Sequence, residues 1–223
     1  MSIGEVRLEI AGPVARIWFD RPEAMNAMTW KMYAEFEEIS QQLAGTEGLR
    51  AVVLRGVGGR AFVAGSDIAQ FAQFESGEDG IAYERKMDRI LDTFAAIPAP
   101  TLAVIDGLAI GGGLNIAGSC DLRIATVGAR FGVPIARTLG NCLSIRNYAR
   151  MSAALGDAIA KRMLLLAELV NAEELIGTGF LARIVKENDI DEAADKLLTK
   201  LCSGAPLSMA ASKAALGRLA QSS

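Results

Sequence analysis

Two glycine corners carry the residues best suited to chemistry in this 223-residue chain. The first is Asp106-Gly107-Leu108-Ala109-Ile110-Gly111-Gly112-Gly113-Leu114-Asn115, which follows an apolar run and opens into an apolar helical pattern. A strand that turns through glycines into a helix leaves several backbone N–H groups unpaired where the helix dipole is positive, so negative charge is favoured there. Glycine also lets a ligand reach the backbone with no Cβ in the way, as a carbonyl oxygen gaining negative charge requires. A tight strand-to-helix crossing without a ligand uses the same glycines, and the motif alone weights the two readings equally. The second corner is Ala64-Gly65-Ser66-Asp67, where the Ser66 N–H follows a glycine at another such junction and is a second donor of this kind.

Other chemistries fall away on spacing and composition. The first corner does not match G-x-G-x-x-G and no Gly-Lys-Ser/Thr follows it, so dinucleotide and P-loop binding lose their mechanical basis. The second lacks the G-x-S-x-G pattern of a nucleophile elbow. The chain has no histidine, which excludes Ser-His-Asp triads, Cys-His dyads, His-ligated zinc and imidazole acid–base chemistry together. Proton transfer is left to carboxylates, hydroxyls, thiols and lysines. Asp106 and Glu84 are spare carboxylates, although the first also suits a turn and the second a solvated helix face.

The elements that must hold these corners are read from periodicity. Residues 6–10 and 14–19 alternate like a hairpin through Gly12-Pro13. Met32, Phe36, Ile39 and Leu43 recur at helical spacing, and residues 51–54 form a short buried strand. A further apolar piece at 61–63 precedes Gly65, a helix runs from Asp67 toward Phe74, and 76–80 is an exposed loop. An amphipathic helix over 81–96 stops at Pro98 and Pro100, before a buried strand at 101–105. The glycine turn then opens a helix that reaches Cys120, followed by a strand at 122–125 and a short piece at 130–133. Helical patterns cover 144–168, 172–176 is a short apolar piece, 182–185 is a last strand, and 190–201 and 207–219 are amphipathic helices. Strands interspersed with helices and a helix-rich end place the chain in the α/β or α+β class, as one domain or one domain with an appendage.

Lys plus Arg number 23 against 26 Asp plus Glu, a net charge of −3, and no basic run offers a footprint for nucleic acid. Residues 1–10 lack an apolar signal stretch, and the most apolar region, 102–116, is broken by Asp106 and glycines. A cytoplasmic protein with no membrane partner is expected. Cys120, Cys142 and Cys202 are widely spaced, which fits reduced thiols rather than a disulfide framework or a metal site.

In their order, the two corners resemble the two halves of the oxyanion hole in the crotonase, or enoyl-CoA hydratase/isomerase, superfamily. Arg21-Pro22-Glu23-Ala24-Met25-Asn26-Ala27-Met28 is similar to the family's early CoA-binding segment, and Gly59-Arg60-Ala61-Phe62-Val63-Ala64-Gly65-Ser66-Asp67-Ile68 to its central one. The resemblance continues through 100–121, Ala129-Arg130-Phe131-Gly132-Val133-Pro134 and 172–185, so it spans nearly the whole chain. It implies an α/β spiral of ββα units over 1–186 and a C-terminal helical segment over 187–223, shorter than is usual in the family. It further implies a homotrimer or hexamer and a coenzyme A thioester as substrate, with no tightly bound cofactor and no metal. Carried over to this chain, the N–H groups of Ser66 and Gly112 would bind the thioester oxygen. Ala24, Met25, Ala64, Asp67 and Ile68 would line the CoA path. Arg60 would meet the CoA phosphates or, as exposed arginines commonly do, stay a solvated charge.

Hydratases of the family place two glutamates around a water, and the matching positions here hold Asn115 and Ile135. An amide orients a water but does not accept its proton, and an isoleucine does neither. With each such group worth about 10²- to 10⁴-fold, standard two-glutamate hydration is not expected. Other members keep the oxyanion hole and carry the acid–base residue elsewhere. The segment Arg137-Thr138-Leu139-Gly140-Asn141-Cys142-Leu143-Ser144 departs from the hydratase pattern. It brings Cys142 or Ser144 toward the position where a dehalogenase relative carries an aspartate nucleophile, although Cys142 also reads as a small buried apolar residue. Three readings follow: an enzyme that stabilises a thioester enolate with a base yet to be assigned, an acyl-CoA-binding or assembly subunit without turnover, and a thioester hydrolase or dehalogenase-like enzyme.

Overall fold

The computed structural model describes residues 3–138 and 140–222, so Leu139 of the divergent segment lies outside the described residues. Alternating apolar residues make β1 (Glu5–Ala11) and β2 (Val14–Asp20) an antiparallel hairpin that closes where Ala11 pairs with Val14. Thr29 caps α1 (Trp30–Ala44) by accepting the Met32 N–H at 3.2 Å.

Three units then repeat one plan. The first comprises β3 (Ala51–Gly56), β4 (Ala61–Val63) and α2 (Gly77–Ala95); the second β5 (Thr101–Ile105), β6 (Leu108–Ile110) and α3 (Gly112–Ser119). The third has β7 (Leu122–Thr126) and β8 (Arg130–Gly132), followed by α4 (Ile145–Leu155) and α5 (Asp157–Leu165). The chain continues with β9 (Val170–Asn171), β10 (Arg183–Val185), α6 (Ile190–Ser203) and α7 (Pro206–Ser222). The first strand of every unit joins a six-stranded sheet of order β1-β2-β3-β5-β7-β10, and the second joins a four-stranded sheet of order β4-β6-β8-β9. Each unit therefore advances both sheets by one parallel strand, which is the expected spiral.

The central strands are buried on both faces, so they read as continuous apolar runs. Val52, Leu54, Ala103, Ile105 and Ala125 face the main core with Phe19, Phe36 and Phe62. Their alternates Ala51, Val53, Leu102, Val104 and Ile124 face Ile190, Ala194 and Leu198 of α6. Helix α6 thus closes the outer face of the larger sheet.

Three expectations are corrected. Residues 77–80 are not loop: Ser76 and Asp79 form a capping box in which Asp79 accepts the Ser76 N–H at 2.9 Å, and α2 starts at Gly77. Residues 108–110, read as turn, form β6 because β4 and β8 flank them. The helical run over 144–168 is two helices broken at Gly156, whose φ is +81°. Among the described residues, no helix is long and apolar enough to cross a membrane, and no cluster of three His, Cys, Asp or Glu could hold a metal.

Candidate active site

The early segment is stitched beneath the second corner by two buried polar residues. Asn26 accepts the Arg21 N–H at 3.0 Å and donates from Nδ2 to the Val57 and Ala61 carbonyls at 3.0 and 2.8 Å. Arg21 donates to Asp67 Oδ2 at 2.8 Å and to the Ala27 carbonyl at 3.1 Å. Backbone bonds flank Ser66 on one side: Ala64 N–H to Met25 O at 3.0 Å, Met28 N–H to Gly65 O at 2.8 Å, and Asp67 N–H to Met28 O at 2.9 Å. Extended backbone alternates direction, so the Ser66 N–H points away from this seam. Among the described residues it has no protein acceptor.

At the first corner, the Gly111 N–H donates to Gly132 O of β8 at 2.8 Å, and Asn115 N–H to Gly111 O at 3.1 Å closes the first helical turn. Gly112, at the start of α3, holds one of the N–H groups that a helix leaves unpaired, and it too has no acceptor among the described residues. The corners touch: a Cβ on Gly111 would lie 3.8 Å from Gly65 Cα. A Cβ on Gly112 would collide with Tyr33 Oη and stand 3.4 Å from Ser66 Oγ, so no larger residue fits there while Tyr33 keeps its place.

That hydroxyl belongs to a chain. Tyr33 Oη and Tyr83 Oη each lie 2.8 Å from Ser66 Oγ, and the Tyr83 ring is held by Trp30 and Phe71 at centroid distances of 5.5 and 5.0 Å. Burial pushes the pKa of both tyrosines up, so both stay neutral hydroxyls. Three hydroxyl protons serve two internal hydrogen bonds, which leaves one O–H to donate elsewhere.

A cavity of about 130 Å³ opens at these groups, lined by Tyr33, Ala64, Ser66, Ile68, Tyr83, Gly112, Asn115 and Ile135. An adjoining cavity of about 570 Å³ shares Phe71, Tyr83, Glu84, Asn141 and Leu143 with it and is also lined by Cys142 and Ser144. Ala24, Met25, Arg60 and Asp67 line neither. The Met25 carbonyl and the Asp67 carboxylate are engaged in the seam, Asp67 also caps the Ala69 N–H at 3.1 Å, and Arg60 is exposed. Asp106 is buried against Arg55 at 2.6 Å, away from both cavities.

Ser144 is the N-cap of α4: its Oγ accepts the Asn147 N–H at 3.1 Å and donates to Asp88 at 2.9 Å. Cys142 is exposed rather than a buried apolar residue, because the segment carrying it runs along the rim of the larger cavity. Glu84 is not a solvated face residue. Its Oε2 accepts the Ser144 N–H at 2.7 Å and Asn147 Nδ2 at 3.3 Å. Burial raises its pKa, those two donors pull it back, and nearby Asp88 adds to the rise. Tyr33 and Tyr83 escaped the sequence reading, since no motif marks them. The available signal was the stripe of Tyr83, Met87, Ile90 and Phe94 along α2, whose first member carries a polar tip.

The sequence profile of the enoyl-CoA hydratase/isomerase family matches residues 9–223. A short-chain-enoyl-CoA hydratase from Clostridium acetobutylicum is 31% identical over 218 residues, which cover 98% of this chain and 83% of the relative. An (E)-benzylidenesuccinyl-CoA hydratase from Thauera aromatica is 32% identical over 94% of this chain and 81% of its own length. Among solved structures, that of an enoyl-CoA hydratase/carnithine racemase from Magnetospirillum magneticum superposes with a TM-score of 0.91 at 30% identity, over 98% of this chain and 81% of that one.

Proposed function

The chain belongs to the enoyl-CoA hydratase/isomerase family, and from that premise we propose that it acts on an acyl-CoA thioester whose carbonyl oxygen is held by the N–H groups of Ser66 and Gly112 as enolate charge builds on it. One observation carries the reading: two N–H groups on touching glycine corners border one cavity and donate to no protein acceptor among the described residues. Losing one such donor costs about 10²- to 10³-fold in rate, because fixed dipoles in a dry site need no reorganisation when charge develops. Ile68, Phe71, Met87, Ile90, Leu91 and Ile135 line the same cavity and suit an apolar acyl chain.

Two-glutamate hydration divides water activation and carbon protonation between two carboxyl groups, and Asn115 and Ile135 supply neither. The reaction this site favours is therefore one that runs on the enolate with a single proton-transfer group. The hydrolase reading is weakened because the Ser144 hydroxyl is engaged in a helix cap and Cys142 is exposed in the second cavity. A binding subunit without turnover stays as the second reading, on the strength of Asn115 and Ile135. We also take the chain to form a homotrimer or hexamer, for which exposed Leu165, Leu166 and Leu169 offer apolar surface; sedimentation of the pure protein reads this directly.

The test is to supply 2-enoyl-, 3-enoyl- and saturated acyl-CoA thioesters to the pure protein while following hydration, double-bond migration and thiol release. Migration faster than hydration is expected. Binding with none of the three would establish the second reading, and thiol release would restore the hydrolase.

A further inference from the structure

Resting on the thioester-enolate reading above, we infer that Glu84 is the proton-transfer residue of this site, acting from α2 rather than from the positions of Asn115 and Ile135. It lines both cavities at their shared wall, beside the Tyr83 whose hydroxyl bonds Ser66. Its two oxygens differ. Oε2 is anchored by Ser144 N–H at 2.7 Å and Asn147 Nδ2 at 3.3 Å, whereas Oε1 accepts nothing among the described residues. A carboxylate fixed through one oxygen has a set orientation and keeps the other free to take a proton.

The neighbouring carboxylate is committed elsewhere: Asp88 accepts the Ser144 hydroxyl at 2.9 Å and faces Arg150 at 3.2 Å. The groups around Glu84 are Tyr33 of α1, Tyr83 and Asp88 of its own helix, and Asn147 of α4, whose Oδ1 accepts from Arg150 at 3.0 Å. Burial outweighs the two donors, so Glu84 titrates above the ordinary carboxylate range and nearer the pH at which acid and base forms are both available.

One such group suffices for a double-bond shift. With a 3-enoyl thioester, the C2–H bond breaks, its proton goes to Glu84, and its electron pair forms C1=C2 as the carbonyl pair moves onto the oxygen held by Ser66 and Gly112. The carbonyl then re-forms, C2=C3 is made, and the former C3=C4 pair takes the proton back from Glu84 at C4. No oxidant, water or second acid enters.

The experiment uses the intact protein with 3-hexenoyl-CoA in deuterium oxide, following absorbance of the conjugated product and deuterium uptake by mass spectrometry. Glu84→Gln is expected to lower kcat about 10²- to 10⁴-fold while KM moves less than about threefold, and Glu84→Asp to retain an intermediate rate. A Gln variant that exchanges and migrates at the parent rate overturns the inference. Should that variant not fold, the parent's pH–rate profile decides: a rising limb centred above about 4.3, the ordinary glutamate value, is expected, and a flat profile up to about pH 8 overturns it. A parent protein that lowers the bound carbonyl stretching frequency yet never exchanges the C2 proton overturns Glu84 alone, and one that does neither overturns the thioester reading beneath it.

Discussion

Gly112 is glycine because Tyr33 stands where its side chain would be. Gly112→Ala drives a methyl group against Tyr33 Oη and displaces the hydroxyl chain and the adjacent N–H. With misplacement of about 1 Å costing about 10²-fold, turnover of the preferred enoyl-CoA is expected to fall by roughly that factor. Adding Tyr33→Phe removes the atom in the way, since the nearest ring carbon is 3.7 Å from the new methyl. The double variant is expected to recover part of the loss, and a double variant no better than Gly112→Ala would show that this contact is not the reason for glycine. The two corners were legible in the sequence because their glycines mark strand-to-helix turns, whereas Gly112 within the first corner was singled out by the family resemblance. The tyrosines were not, because a tyrosine on an apolar helical stripe looks like core, and the partner of the Tyr33 hydroxyl lies 33 residues away on another element. Glu84 was visible as a carboxylate, but the N–H that anchors it belongs to Ser144, 60 residues further along.

Among the elements, α4 owes its start to Ser144 and its place beside α2 to that cap and the Arg150–Asp88 and Arg150–Asp92 pairs. Ser144→Ala deletes the hydroxyl that caps Asn147 but keeps the backbone N–H that holds Glu84. A loss of about 1 kcal/mol is expected, seen as a fall in Tm of about 2–4 °C for a chain of this size, with thioester turnover reduced only severalfold. Complete loss of turnover with an unchanged Tm would return Ser144 to the role of nucleophile. Long periodic segments such as α1 and the fully buried strands were readable, since their patterns outlast local noise. The three-residue β6 was not, because its pairing comes wholly from β4 and β8. The start of α2 was hidden by Gly77 and Gly80, which lower helix propensity although the Ser76–Asp79 box was present in the sequence.

At the scale of the molecule, the spiral explains why two distant corners meet. The second corner follows β4 and the first follows β6, and these strands are parallel neighbours, with Ala61 opposite Leu108 and Val63 opposite Ala109. Parallel neighbours end on the same side, and ligands of parallel sheets bind beyond the carboxyl ends of the strands. The alternation of strands between two sheets supplies this meeting, while side chains from α1 and α2 furnish the hydroxyls and the carboxylate that surround it. The most direct measurement is the infrared stretching frequency of an isotope-labelled thioester carbonyl bound to the protein. Two N–H donors converging on that oxygen predict a lower frequency than the same thioester shows free in water. A bound frequency equal to or above the free value would contradict the account.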